Sequence, residues 1–180
     1  MGSEMCIRDR VNDVRGFTRD RELAIVAASH GVPAMVMHDV SPDSRDDLVA
    51  SVIHELTRRL EIAVSAGIAW DHLIIDPGFG FGKDWRQNLE LLRRLRELEV
   101  LERPILVGLS RKKTIAHVLG TADSERLEGT MATTALAIAN GAGIIRVHDV
   151  LPNVRVARMS DAVVRVIPAE SKLSRSPGGL

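Results

Sequence analysis

The 180-residue chain contains no tyrosine, and three phenylalanines with two tryptophans bring its aromatic content to only 3%. So few rings argue against the stacking platforms that hold single-stranded nucleic acid. A single cysteine, Cys6, excludes an internal disulfide and a thiolate metal cluster. Neither sign of charge prevails: Lys plus Arg and Asp plus Glu number 24 each, so no overall field favours nucleic acid or an acidic membrane. No apolar run approaches the roughly 18 residues that span a bilayer, and no charged-then-apolar leader marks secretion. The six histidines are scattered without the H-x-x-x-H spacing of a zinc site. What remains is 45% hydrophobic and 27% charged, the make-up of a globular domain with a real core. A cytoplasmic enzyme or binding domain is the expected class.

The first ten residues, MGSEMCIRDR, have neither helical nor strand periodicity. The string MCIRDR looks like translated sequencing-adapter sequence, so residues 1–10 are read as a non-native leader without function. From Val11 a repeating pattern begins. Val11–Val14 reads as a strand, Asp20–His30 as a helix ended by Gly31, and Val32–His38 as a second strand. Ser41–Ser44 supplies turn and cap residues for a helix reaching Ala66, with Leu48, Val52, Leu56, Leu60 and Ala63 on one face. Leu73–Asp76 is the third strand, and the helix after it carries Leu89, Leu92, Leu95 and Leu98 as its apolar stripe. Pro104–Ser110 and Ile144–Val150 are the fourth and fifth strands. Lys112–Leu119 and Glu125–Asn140 form helices between them, and Val156, Met159, Val163 and Val166 mark a last amphipathic helix. Residues 11–168 thus form one domain, and the tail from 169 to 180 lacks periodicity and reads as disordered.

Five βα units with near-continuous apolar strands predict an α/β fold built on a parallel sheet. An open doubly wound sheet and a (β/α)8 barrel both satisfy that pattern. Polar residues gather where the strands end: Asn12 and Asp13, His38, Asp76, Ser110 to Lys112, and Arg146 with His148. In a parallel fold those ends share one face, where ligand sites form. Any single one of them could be an ordinary cap or ion-pair partner; all five strands ending this way point to a shared site. Leu73–Lys83, LIIDPGFGFGK, is the clearest case, a buried strand opening into a loop with glycine at every second position. The loop is not a Walker phosphate loop, because the glycine spacing is one residue short and Asp84 stands where Ser or Thr is required. Gly108–Lys112 lacks the final glycine of a nucleophile elbow.

Together these segments resemble the dihydropteroate synthases. IIDPGFGFGK (Ile74–Lys83), VGLSRKKTI (Val107–Ile115), GTMATTALAIANGAGIIRVHDV (Gly129–Val150) and VNDVRG (Val11–Gly16) occur in family order at family-like spacing. The resemblance implies a partial (β/α)8 TIM barrel, the strands present corresponding to strands four to eight. It implies a transferase of folate biosynthesis that joins p-aminobenzoate to a dihydropterin diphosphate, with Mg2+ accompanying the diphosphate. By position, Asn12 and Asp76 would bind the pterin, and Lys112 would contact it while bordering the p-aminobenzoate site. Phe81 would wall that pocket, and Arg146 and His148 would bind the departing diphosphate. Lys112, Arg146 and His148 would be the catalytic group, and the family is commonly homodimeric. No nucleic acid or membrane partner is implied.

The sequence also departs from the family. Segments resembling NVTPDSFSDGG, GGESTRPG and VDT are absent, and with them the asparagine that ligates Mg2+, so no metal ligand is expected here. Lys113 stands where a serine often follows SRK. Two other readings remain open, a non-catalytic pterin- or partner-binding relative and a pterin-dependent methyltransferase domain. Five barrel strands leave two unpaired edges and a half-open interior. The purified 180-residue chain is therefore expected to form no appreciable dihydropteroate from the two substrates; turnover in that assay would overturn the expectation.

Overall fold

The computed structural model describes residues 10–41, 47–122 and 125–165. Its strands are β1 (Val11–Asp13), β2 (Ala34–Met37), β3 (Leu73–Asp76), β4 (Leu106–Val107) and β5 (Ile144–Ile145). Its helices are α1 (Arg21–Ser29), α2 (Leu48–Ser65), α3 (Trp85–Arg93), α4 (Lys113–Leu119), α5 (Leu127–Ala139) and α6 (Val150–Val164), with 3-10 turns at Trp70–His72 and Leu95–Leu101.

Every strand pairing is parallel and joins sequence neighbours. β1 pairs with β2 (Asn12 opposite Met35), β2 with β3 (Met37 opposite Asp76) and β4 with β5 (Val107 opposite Ile145). A parallel bridge between Ile75 and Ile105 links the two groups. A doubly wound sheet would reverse its strand order at some point, and this one does not. Right-handed crossovers between successive parallel strands place the helices on one side. The wall also curves, since Arg146 beyond β5 comes within 3.4 Å of Asn12 in β1.

The core lies between this wall and the helices. Leu56 and Leu60 of α2, Leu91 of α3, and Leu95 and Leu98 beyond it meet Val36, Ile75, Ile105 and Val107 of the strands in one cluster. Each such leucine, moved from water to this interior, contributes about 1.5–3 kcal/mol.

Several boundaries differ from the sequence reading. The helix expected after Ser41–Ser44 begins at Leu48, and Asp47 caps it by accepting from the Ala50 amide at 2.9 Å; residues 42–44 of the expected cap lie outside the described residues. The leucine helix is in two parts. α3 starts with a reciprocal capping box between Asp84 and Gln87 and ends at Arg93. The chain then tightens to three residues per turn, which keeps Leu95, Leu98 and Leu101 aligned and buried. Leu89 is exposed, and Leu91 takes the core position instead.

β4 and β5 are two residues long, shorter than expected, because the chain beyond each leaves the ladder to form the rim. In α6 the expected apolar stripe is not a buried one: Met159 and Val163 are exposed, and Val166 lies outside the described residues. That helix is anchored instead by buried Asn153, whose Oδ1 accepts from the Thr134 hydroxyl at 2.8 Å. The tail expected to be disordered and most of the leader also lie outside the described residues.

Leu91→Ala should cost about 2–5 kcal/mol in urea unfolding, as a cavity in the core does. Leu89→Ala should cost less than about 1 kcal/mol; the reverse ranking would contradict this division of the leucines.

Candidate active site

Asp76 ends β3 with 1% of its surface exposed. A carboxylate so placed needs partners. Its Oδ1 accepts from the Gly78 amide at 2.8 Å and its Oδ2 from the Arg146 guanidinium at 2.8 Å. Two glycines make this possible. At Gly78 (φ +70) a Cβ would lie 1.7 Å from the His38 carbonyl oxygen, and at Gly108 it would lie 2.8 Å from the guanidinium. Arg146 thus lies across the mouth, tied to β3 and close to β1, with 43% of its side chain exposed.

The glycine loop after β3 is closed by its own lysine. The Lys83 ammonium donates to the carbonyls of Gly78 (3.2 Å) and Phe81 (3.1 Å) and lies 2.8 Å from His38 Nδ1. Burial pushes Lys83 down to about 7 while Asp76 and Asp39 pull the other way. Burial, with the charges of Lys83 and Arg59, lowers His38 to about 3, so its neutral ring receives the third ammonium hydrogen. The loop is held from the other side by Asn88, whose Oδ1 accepts from the Gly80 amide at 2.8 Å.

Lys112 rests against this loop. Its ammonium donates to the Phe79 carbonyl and sits 4.3 Å from the Phe81 ring centroid. Desolvation draws its pKa down, opposed by Asp76. Beside it opens a cavity of about 600 Å3, lined among others by Gly80, Trp85, Arg111, Lys112, Lys113 and His117. Its charged lining is mainly cationic, with Asp84 as the one acid, which suits a carboxylate-bearing ligand.

Two rim loops are clasped in register. Ser110 Oγ lies 2.9 Å from His148 Nδ1 and accepts the His148 amide at 3.1 Å. One residue on, Arg111 forks onto both Asp149 oxygens at 3.0 and 2.6 Å. Arg111 has a left-handed backbone (φ +55), supported where its amide donates to Thr130 Oγ1 and its carbonyl accepts from Arg126.

Of the residues singled out in the sequence, Arg146 meets both Asp76 and Asn12, and Lys112 meets Phe81 at the neighbouring loop. His148 joins the rim through Ser110. Two strand-end residues serve the scaffold. Asp13 accepts from the amides of Arg15 and Phe17, and His38 is buried beneath Lys83. The sequence reading gave no role to Lys83 or to Arg59. Arg59 is buried and donates to the Met37 carbonyl, to Asp39 (2.6 Å) and to Glu55 (2.7 Å), joining the end of β2 to α2. Only the unusual placement of an arginine on the apolar face of a helix could have signalled it. Among the described residues, no group of three His, Cys, Asp or Glu side chains could hold a metal ion. With Asp76 engaged by Arg146, the residues present do not fit a protein-held Mg2+.

An α/β wall of sequential parallel strands, with a buried acid, cations and a glycine loop converging on its carboxyl rim, is the layout on which parallel α/β proteins build ligand sites. Residues 4–148 match the family described as pterin binding enzyme, and the chain belongs to that family. It is 42% identical over 156 residues to the dihydropteroate synthase of Clostridium beijerinckii, covering 86% of this chain and 58% of that protein. It is 40% identical to the enzyme of Bacillus subtilis, covering 86% and 54%. The chain therefore spans a little over half the length of these relatives. The solved dihydropteroate synthase from Clostridium difficile, determined in the presence of pteroic acid, matches with a TM-score of 0.84 and 41% identity, covering 91% of this chain and 64% of that one. The Xanthomonas albilineans enzyme with 4-aminobenzoic acid matches with a TM-score of 0.80 and 39% identity, covering 88% and 60%. No described helix is long and apolar enough to cross a membrane.

The lowered pKa of His38 sets an acid dependence. Between its ordinary value of 6.5 and about 3 the unfolded chain binds a proton that the folded chain refuses, so stability falls as pH falls through this range. Unfolding free energy should drop by up to about 1.4 kcal/mol per pH unit from roughly pH 6.5 to 4.5, before carboxylates dominate. His38→Gln should flatten that limb in urea titrations; an unchanged slope would refute the assignment.

Proposed function

We propose that this chain carries the pterin- and diphosphate-binding side of a dihydropteroate synthase. In this reading its five strands are the fourth to eighth of a (β/α)8 barrel in a cytoplasmic, homodimeric enzyme. The observation that carries it is the buried Asp76 carboxylate at the rim, bracketed by Arg146 and the glycine loop. The names of the relatives it matches support the same reading.

The chemistry follows from the residue types. The pterin edge presents adjacent N–H donors, which match a desolvated carboxylate, and Asn12 adds a neutral amide on the opposite strand. A pterin donor reaching Asp76 Oδ2 takes the place now held by Arg146. The guanidinium so released is two residues from His148, and both can receive the diphosphate. As the C–O bond breaks, the pair of electrons leaves with the diphosphate, and fixed donors stabilise that charge more in the transition state than in the substrate. The pterin methylene left behind is attacked by the amine of p-aminobenzoate, held beside Phe81 and Lys112 with its carboxylate toward the cationic cavity, and the surplus amine proton passes to the released diphosphate. No side-chain nucleophile is needed, and positioning supplies much of the rate. Mg2+ in this scheme arrives with the diphosphate.

Titration of the purified protein with pteroic acid tests the pterin half. Asp76→Asn should weaken binding about tenfold to a hundredfold, the loss of roughly 1.5–3 kcal/mol from a charged hydrogen bond. Equal affinity in a variant whose circular dichroism is unchanged would sink the proposal.

A further inference from the structure

We propose that Ser110 is a positioning residue that sets the ring tautomer of His148, so that Nε2 carries the hydrogen and faces any anionic ligand as a donor. This rests on the reading of His148 as a diphosphate contact and adds how its ring is prepared for that contact.

The argument is a count of hydrogens. Ser110 is buried, with 6% of its surface exposed, so its hydroxyl hydrogen has little access to water. Its oxygen already accepts the backbone amide of His148 at 3.1 Å. The ring nitrogen Nδ1 lies 2.9 Å from the same oxygen. If Nδ1 carried the ring hydrogen, the oxygen would accept twice and its own hydrogen would be left buried without an acceptor. Such an orphan costs about 1–3 kcal/mol. If the hydroxyl donates to Nδ1, every group is satisfied and the ring hydrogen must sit on Nε2. That tautomer offers an N–H donor without presenting a lone pair that would repel phosphate oxygens.

A second contact makes the arrangement specific to the ring. Arg111 and Asp149, the next residue on each loop, are joined by a two-pronged ion pair, and the Arg111 backbone is held by Thr130 and Arg126. The two loops thus stay together when the Ser110 hydroxyl is removed. What is lost is the choice of tautomer.

The test is multiple-bond 1H–15N correlation of histidine side chains in the purified protein at about pH 8, with His148→Gln assigning the signals. In the unaltered protein His148 should show a bare Nδ1 and a protonated Nε2. Ser110→Ala should give a mixture of tautomers, and Ser110→Thr, which keeps the hydroxyl, should restore the single form. Inorganic diphosphate should shift the Nε2 signal, with binding weakened about three- to tenfold in Ser110→Ala. A protonated Nδ1 in the unaltered protein would overturn the proposal even if the alanine variant failed to fold. So would a single unchanged tautomer in a folded Ser110→Ala protein. If the tautomer responds as stated but diphosphate binds neither protein, the positioning role stands and the leaving-group reading of His148 falls.

Discussion

The ion pair between Asp76 and Arg146 is the contact on which the rim depends. A carboxylate withdrawn from water at the end of a strand is costly unless its oxygens are met, and here one is met by a backbone amide and the other by a guanidinium from two strands away. Meeting it requires a wall curved enough to bring the end of β5 over β3, and glycines at 78 and 108 where any side chain would collide. The exposed half of Arg146 leaves the pair open to exchange. In the proposed function that carboxylate passes from the arginine to a ligand with similar donors, so the contact that completes the rim also prepares it for that ligand.

Around that pair the rim is built from short loops that satisfy one another. Lys83 closes the glycine loop with three acceptors, and the loop in turn offers its Phe79 carbonyl to Lys112. Ser110 and Arg111 grip His148 and Asp149 in register. Arg59, buried in α2, binds the Met37 carbonyl and Asp39 at the end of β2, and Asp39 also receives Arg15 from the turn after β1 at 2.5 Å. A Cβ on Gly16 would lie 2.5 Å from the Arg59 side chain, so that turn is shaped around the arginine. Each loop thus has a polar side chain borrowed from another part of the chain. This suits a site that must hold several charged groups at fixed spacing.

Much of this was legible in the residues. The strand at Leu73–Asp76 was readable to its boundaries, because four apolar residues closed by an acid and a proline leave few other conformations. The resemblance of DPGFGFGK, SRK and RVHDV to one family, with its implied roles for Asp76, Lys112 and Arg146, rests on local strings. The α2 stripe was equally plain, since Leu48, Val52, Leu56, Leu60 and Ala63 are all buried. Less legible was Leu89 against Leu91, two neighbours that satisfy a helical stripe almost equally well. The break at Arg94 re-phases the leucines after it, and that re-phasing is a packing effect.

The sequence by itself determined the βα alternation, the parallel sheet, and the gathering of polar residues at the strand ends, because periodicity and end chemistry are local properties. Its periodicity left a wound sheet and a barrel wall both open, while the resemblance to one family implied the barrel. Only tertiary structure supplied the strand order and the Ile75–Ile105 bridge, since pairing partners far apart in sequence leave no periodic trace. It also separated rim residues that face the mouth from those that support it. Asp13 and His38 looked like Asp76 in sequence, yet one holds a turn and the other sits beneath Lys83. Burial and partner choice depend on what folds over each residue, and that is set by the whole chain at once.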